Sequence, residues 1–172
     1  MSKKSSKQSA RPLDDGYDAI AASSSGAQSS EQTAGFFIAG FFIAFLPAYL
    51  FHSVYDVTFA DNAIVYLLVT LAAAAMLTLG YRNVELGQRQ FLASSRKGGR
   101  YAAAKSQADT DNFISQEALC WSLFLNNAIF AAVFLFFAFY ALKNIEALYS
   151  YILSVLLASA ITWQLSNGSV RA

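Results

Sequence analysis

Four blocks of the chain are continuously apolar, and each is about as long as a membrane is thick. They run from about Gly35 to Val54, Asn62 to Tyr81, Trp121 to Leu142 and Ala147 to Leu165, and none contains Lys, Arg, Asp or Glu. A bilayer core of about 30 Å takes roughly 20 helical residues at about 1.5 Å each. A charge at its centre costs about 2.5–3.5 kcal/mol, so four charge-free blocks of this length predict four transmembrane helices. No strand-like alternation is seen, which argues against a β-barrel. The predicted fold class is an all-α membrane protein, a four-transmembrane-helix bundle with a helical hairpin between spans two and three.

The first block follows a polar stretch of about 34 residues, exceeds the usual length of a signal-peptide core and lacks a convincing small-residue cleavage site. It reads as a retained anchor. Pro47 lies inside it and is expected to kink it, because proline removes a backbone hydrogen bond that lipid cannot replace.

The segments between the blocks define the domains: a tail over 1–34, a transmembrane hairpin over 35–81, a long loop over 82–120, a second transmembrane hairpin over 121–165 and a short tail over 166–172. The tail is rich in Ser, Ala and charge. Composition favours disorder there, while Leu13, Tyr17 and Ile20, at i, i+4 and i+7, leave a short surface-bound amphipathic helix open. In the long loop, Val84, Leu86, Phe91 and Leu92 predict that the second helix continues past the membrane for several turns. Gly98-Gly99 then breaks the chain. Tyr101–Leu119 is helix material, with Asp109-Thr110-Asp111-Asn112 as an expected interruption and cap.

Composition agrees: of 172 residues, 56% are hydrophobic and only 13% charged, about half the share of a soluble domain. Net charge is +1, but its distribution is uneven. Eleven of the twelve basic residues and eight of the eleven acidic ones fall in the two tails and the long loop, leaving that face at +3 and the face of the two short connections at −2. The positive-inside rule puts the +3 face, with both termini, in the cytosol. The sequon Asn167-Gly168-Ser169 is then expected to carry no glycan.

Candidate chemistry is sparse. One cysteine, Cys120, excludes an internal disulfide, and one histidine, His52, excludes a multi-histidine metal site. His52 reads as an interfacial residue, and Cys120 is an S-palmitoylation candidate on the cytosolic side. There is no glycine-rich phosphate loop, no nucleophile with a paired base and no carboxylate pair in a span, so neither catalysis nor a cofactor is expected. Asn126 and Asn127, inside the third span, read as helix-to-helix hydrogen-bonding groups. Small residues recur at four-residue spacing, Thr70, Ala74 and Thr78 in the second span and Ser154, Ala158 and Thr162 in the fourth. Each stripe lets another backbone approach closely; the two pair with each other or receive a foreign helix. Arg89, Arg96, Lys97, Arg100 and Lys105 gather near the loop's tip. From charge alone they are first a topology signal touching anionic membrane lipids, worth about 1 kcal/mol each. A contact with RNA or an acidic protein is the second reading.

From Cys120 onward the residues resemble a known family. Asn126-Asn127 followed by Phe130, Leu142-Lys143-Asn144 closing the third span, Tyr151-Ile152-Leu153-Ser154 and Ala158-Ser159 in the fourth, and the ending Leu165-Ser166 with Gly168-Ser169 are similar to the gamma subunit of the translocon-associated protein complex, also called the signal sequence receptor gamma subunit. Tyr81-Arg82-Asn83-Val84 looks like that family's exit from the second span. The resemblance covers about residues 35–172 and includes the four-span layout with its long middle loop. It implies a non-enzymatic subunit in the endoplasmic reticulum membrane, beside the Sec protein-conducting channel and the other translocon-associated subunits. It also implies a cytosolic hairpin that contacts the ribosome, through rRNA or ribosomal protein. The positions available for that contact are Arg89, Arg96, Lys97, Arg100 and Lys105, in a loop shorter and less basic than in animal members. Two other classes compete: a small solute channel or transporter subunit, for which the spans offer only Asn126, Asn127 and scattered hydroxyls, and a general four-span scaffold.

Overall fold

The computed structural model describes residues 30–56, 58–96 and 107–169. The expectations placed on Leu13, Tyr17 and Ile20, on Gly98-Gly99, and on Lys97, Arg100 and Lys105 lie outside these residues. Four helices follow in order: α1 (Ser30–Tyr55), α2 (Phe59–Arg96), α3 (Gln107–Phe136), which a π-helical turn extends over Phe137–Ala141, and α4 (Ala147–Ser169). Each holds a stretch long and apolar enough to cross a membrane: Gln32–Tyr55, Ala60–Leu92, Phe113–Ala141 and Ala147–Gly168. Among the described residues there is no strand.

The connections between helices follow local chemistry. α1 and α2 are joined by a tight turn in which Asp56 takes a left-handed conformation (φ 53°), one that Asp tolerates better than most residues. Thr58 precedes α2 and its hydroxyl donates to the Asp61 carboxylate in the first turn. The third span ends differently. Its last turn is wound as a π-helix, with Leu142 N–H donating to the Phe137 carbonyl at 2.9 Å. Widening the helix changes which carbonyls find partners, and the Tyr55 hydroxyl of α1 donates to the Ala138 carbonyl at 3.4 Å. In lipid such a side-chain donor replaces the water that would otherwise satisfy irregular backbone.

α1 runs through Pro47 as one helix of 26 residues. One expectation changes in detail. α3 passes through Asp109–Asn112 without interruption, because beyond them Ile114 and Ala118 are buried against its neighbours. Packing of this kind overrides the weak helix propensity of Asp and Asn. The continuation of the second helix past Tyr81 is observed. α2 kinks at Asn62 (φ −121°, ψ 17°), and the stretch from there to Arg96 is about 50 Å long, well over the thickness of the hydrocarbon core.

α2 is the central element and touches the other three. It runs parallel to α4, since Thr70 meets Tyr151, Met76 meets Ser159 and Asn83 meets Asn167. It runs antiparallel to α1, where Phe36 stacks near Tyr81, and to α3, where Arg89 meets Ser115. The interior is rich in small and polar side chains: Ala44, Ala48, Ala73, Ala74, Ala158, Ser122, Ser154, Ser159 and Thr162 are fully buried, alongside Phe51, Leu77, Tyr81 and Tyr151. The large aliphatic and aromatic residues Phe42, Ile64, Leu68, Phe124 and Leu165 point outward. A soluble core has the opposite arrangement. In lipid, outward apolar surface costs nothing and close backbone approach becomes the main source of cohesion.

That approach is tightest at Gly40, where an added Cβ would lie 3.1 Å from the Ala74 carbonyl oxygen and 3.6 Å from Thr78 Oγ1. The opposing atom is backbone and cannot swing away. Gly40→Val is therefore expected to destabilise the bundle by roughly 1–3 kcal/mol through overpacking, seen as a lower thermal unfolding midpoint in detergent. Gly35→Val, which faces open space, serves as the control for the change in propensity.

Candidate functional site

The most polar part of the structure is a seam where α2 leaves the membrane on the long-loop side. Tyr81 is completely buried, and its hydroxyl donates to the Asn127 side-chain carbonyl on α3. Its backbone carbonyl accepts from Ser122 Oγ at 2.6 Å. Asn126 is buried too, and its amide donates to the Ser122 carbonyl one turn earlier at 3.1 Å. Its Oδ1 has no hydrogen-bond partner and lies beside Gly80, where an added Cβ would sit 3.4 Å away. Asn83 donates to Asn167 of α4 at 2.6 Å. Thus α2 is tied to α3 and α4 within three residues by bonds that each contribute about 0.6–2 kcal/mol in a membrane.

One turn past Tyr81, the seam becomes ionic. Glu85 is 1% exposed and pairs with Arg89 one turn on, while the same guanidinium nitrogen donates to Ser115 Oγ on α3 at 2.7 Å. A buried carboxylate needs such a partner, since desolvation of an unpaired charge costs several kcal/mol. The pair also ties together the two arms of the long hairpin at its base.

The model of the family "Translocon-associated protein, gamma subunit (TRAP-gamma)" matches residues 19–112 and 105–168 of the chain. The chain belongs to that family. It is also similar to the translocon-associated protein subunit gamma of Dictyostelium discoideum, with 33% identity over 152 residues, 82% of this chain and 89% of that relative. The family matches start within the N-terminal tail and end at the C-terminal end of α4, so the whole four-helix unit is shared.

In this TRAP-gamma family member the residues singled out from sequence fall into three groups. Thr70, Ala74, Thr78, Ser154, Ala158 and Thr162 are all buried. Thr70 meets the Tyr151 hydroxyl of α4 at 3.4 Å, whereas Ala74 and Thr78 face Gly40 of α1. Thr78 and Thr162 spend their hydroxyls on carbonyls of their own helices at 2.7 and 2.8 Å. Asn126 is enclosed, while Asn127 is only partly buried. Of the basic cluster, Arg89 is turned into the hairpin base and Arg96 is the last residue of α2. Cys120 is a free, exposed thiol and His52 is exposed near the short-loop end of α1. Among the described residues no three His, Cys, Asp or Glu side chains gather as metal ligands.

Sequence reasoning missed Ser122, Glu85 and Ser115, and met Tyr81 and Asn83 only as part of the family resemblance. Glu85 carried a visible signal, its i,i+4 spacing to Arg89.

Replacing Arg89 with Met strands the Glu85 carboxylate and is expected to cost roughly 2–4 kcal/mol, toward the low end because the Arg89 side chain is 22% exposed. The double variant Glu85→Gln/Arg89→Gln should recover most of that loss, measured by thermal unfolding in detergent.

Proposed function

We propose that this chain is a non-enzymatic subunit of the translocon-associated complex of the endoplasmic reticulum. It sits beside the Sec protein-conducting channel with the other subunits and meets the ribosome through the hairpin that follows α2. The observation that carries this reading is the length and bracing of α2. About 20 residues cross the membrane, yet the helix runs on to Arg96 and is tied to α3 by Arg89 and Ser115. A membrane anchor alone needs no such extension. One that ends in Arg96, followed in sequence by Lys97, Arg100 and Lys105, suits a partner rich in phosphate or carboxylate.

Membership of the TRAP-gamma family supports the complex and the compartment. The charge asymmetry supports the orientation, with tails and hairpin in the cytosol. In that orientation Arg89 is a brace for the hairpin, and the contact itself falls to Arg96, Lys97, Arg100 and Lys105. Asn126, Asn127 and the two small-residue stripes hold the bundle that carries it.

The orientation has a direct check. Protease added to sealed microsomes should remove the N-terminal tail and cut between residues 97 and 106, leaving the two short connections intact; cleavage at residues 56–58 instead would reverse the topology. The contact has another. Reversing Arg96, Lys97, Arg100 and Lys105 to Glu is expected to lower co-sedimentation with ribosomes from gently solubilised microsomes at least about fivefold. Wild-type recovery should fall steeply with salt, as phosphate contacts release counterions. Equal recovery of both proteins at every salt concentration would exclude the hairpin as the contact.

A further inference from the structure

Between α1 and α3 lies a groove of about 600 Å³, in the size range of a small-molecule site. Its walls are apolar, with Leu46, Pro47 and Leu50 on one side and Phe130, Ala131 and Phe134 on the other. Apart from the largely exposed Tyr49, its polar lining residue is Asn127. Tyr81 fixes that amide by donating to Oδ1, and among the described residues its two N–H donors find no acceptor. A polar group left open toward lipid is unfavourable unless something fills the space.

Phe124 lines this groove and also a second hollow of about 570 Å³, lined by Gln88, Phe91, Glu117 and Trp121. That hollow lies between α2 and α3, whereas the groove lies between α1 and α3 and forms a trough from Phe124 to Leu135, about 16 Å long at 1.5 Å per residue. This matches the hydrocarbon of one leaflet, about 15 Å. At the short-loop end the trough is shut by side chains that reach across between α1 and α3. Phe51 meets Phe134 with centroids 6.2 Å apart, Tyr55 stacks on Phe139 at 6.3 Å, and the Tyr55 hydroxyl bonds the Ala138 carbonyl. A spanning helix would need a trough through the whole core of about 30 Å. A molecule one leaflet long does not.

We propose that the groove holds one phospholipid from the leaflet on the long-loop side. Its acyl chain lies between α1 and α3, and an ester carbonyl accepts from Asn127, about 9 Å below Trp121. Its headgroup lies beside Gln88, Glu117 and Trp121. Among the described residues that mouth is lined by Phe91, Trp121 and Phe124, and aromatic rings suit the cationic end of a choline or ethanolamine head.

The test uses native microsomes loaded with a phosphatidylcholine that carries a diazirine on its acyl chain. After illumination, label should concentrate on peptides covering 41–50 and 124–135. Ala131→Trp, which fills the groove, should reduce that labelling at least about fivefold, with Leu46→Trp as the alternative block if the first variant fails to assemble. Leu68→Trp, on the outward face of α2, should leave it unchanged. Asn127→Asp keeps an acceptor for Tyr81 and loses the donors, and should reduce labelling about two- to fivefold. Even labelling of all four helices, insensitive to Ala131→Trp, would overturn the proposal in favour of ordinary surrounding lipid. A photo-crosslinker at position 131 that captures a protein would overturn it in favour of a partner helix. Equal labelling by the phosphatidylserine analogue would remove the headgroup assignment. Ribosome co-sedimentation, measured on the same variants, reports on the hairpin separately.

Discussion

A polar group inside a membrane must find its partner within protein, and this bundle is organised around that constraint. Lipid offers neither donors nor acceptors, and it provides no hydrophobic force to press helices together. Cohesion has to come from close backbone approach and from hydrogen bonds made across helices. Both run through α2. Gly40 of α1 meets the Ala74 carbonyl, Tyr151 of α4 meets Thr70, and Asn127 of α3 takes the Tyr81 hydroxyl. Without α2, α4 would still pack on α3 and less extensively on α1, but α1 and α3 would meet through only a few side chains.

The same constraint explains where the polar residues sit. They are densest from Tyr81 to Arg89, at the level where α2 passes from lipid toward water. Farther into the membrane the hydroxyls of Thr78 and Thr162 return to their own helices' carbonyls, which satisfies them without asking anything of a neighbour. Nearer the surface, side chains can be longer and more polar because water penetration lowers the cost of imperfect pairing. An ion pair such as Glu85–Arg89 is tolerable there, and it fixes the angle between the two arms of the hairpin.

Much of this was legible in the sequence because membranes impose blunt rules. Four charge-free blocks gave the helices, and apolar residues past Tyr81 gave the extension of α2. The π-helical turn at Phe137–Ala141 was not legible, because a run of aromatic and small residues reads the same in either winding. Nor was the adjacency of helices. The stripe of Thr70, Ala74 and Thr78 looked like one surface for one partner, but a helix of small residues can be approached from two sides, and α1 and α4 share it. Asn126 and Asn127 looked equivalent. A rotation of about 100° between consecutive residues sends the first inward and leaves the second at the edge of a groove.

Arg89 shows how a buried neighbour bears on a residue that a charge pattern counts only as one of a group. By composition it belongs with Arg96, Lys97, Arg100 and Lys105, and a topology rule counts all five alike. Its chemistry is decided instead by Glu85, whose burial leaves a carboxylate that only a nearby cation can hold. With Arg89 committed inward, the basic residues that follow α2 in sequence come after a helix that is continuous with the membrane span. That helix carries one unbroken set of backbone hydrogen bonds down to Tyr81. There the seam ties it to α3 and α4. Under the proposed function the seam therefore passes a contact made beyond α2 on to the bundle.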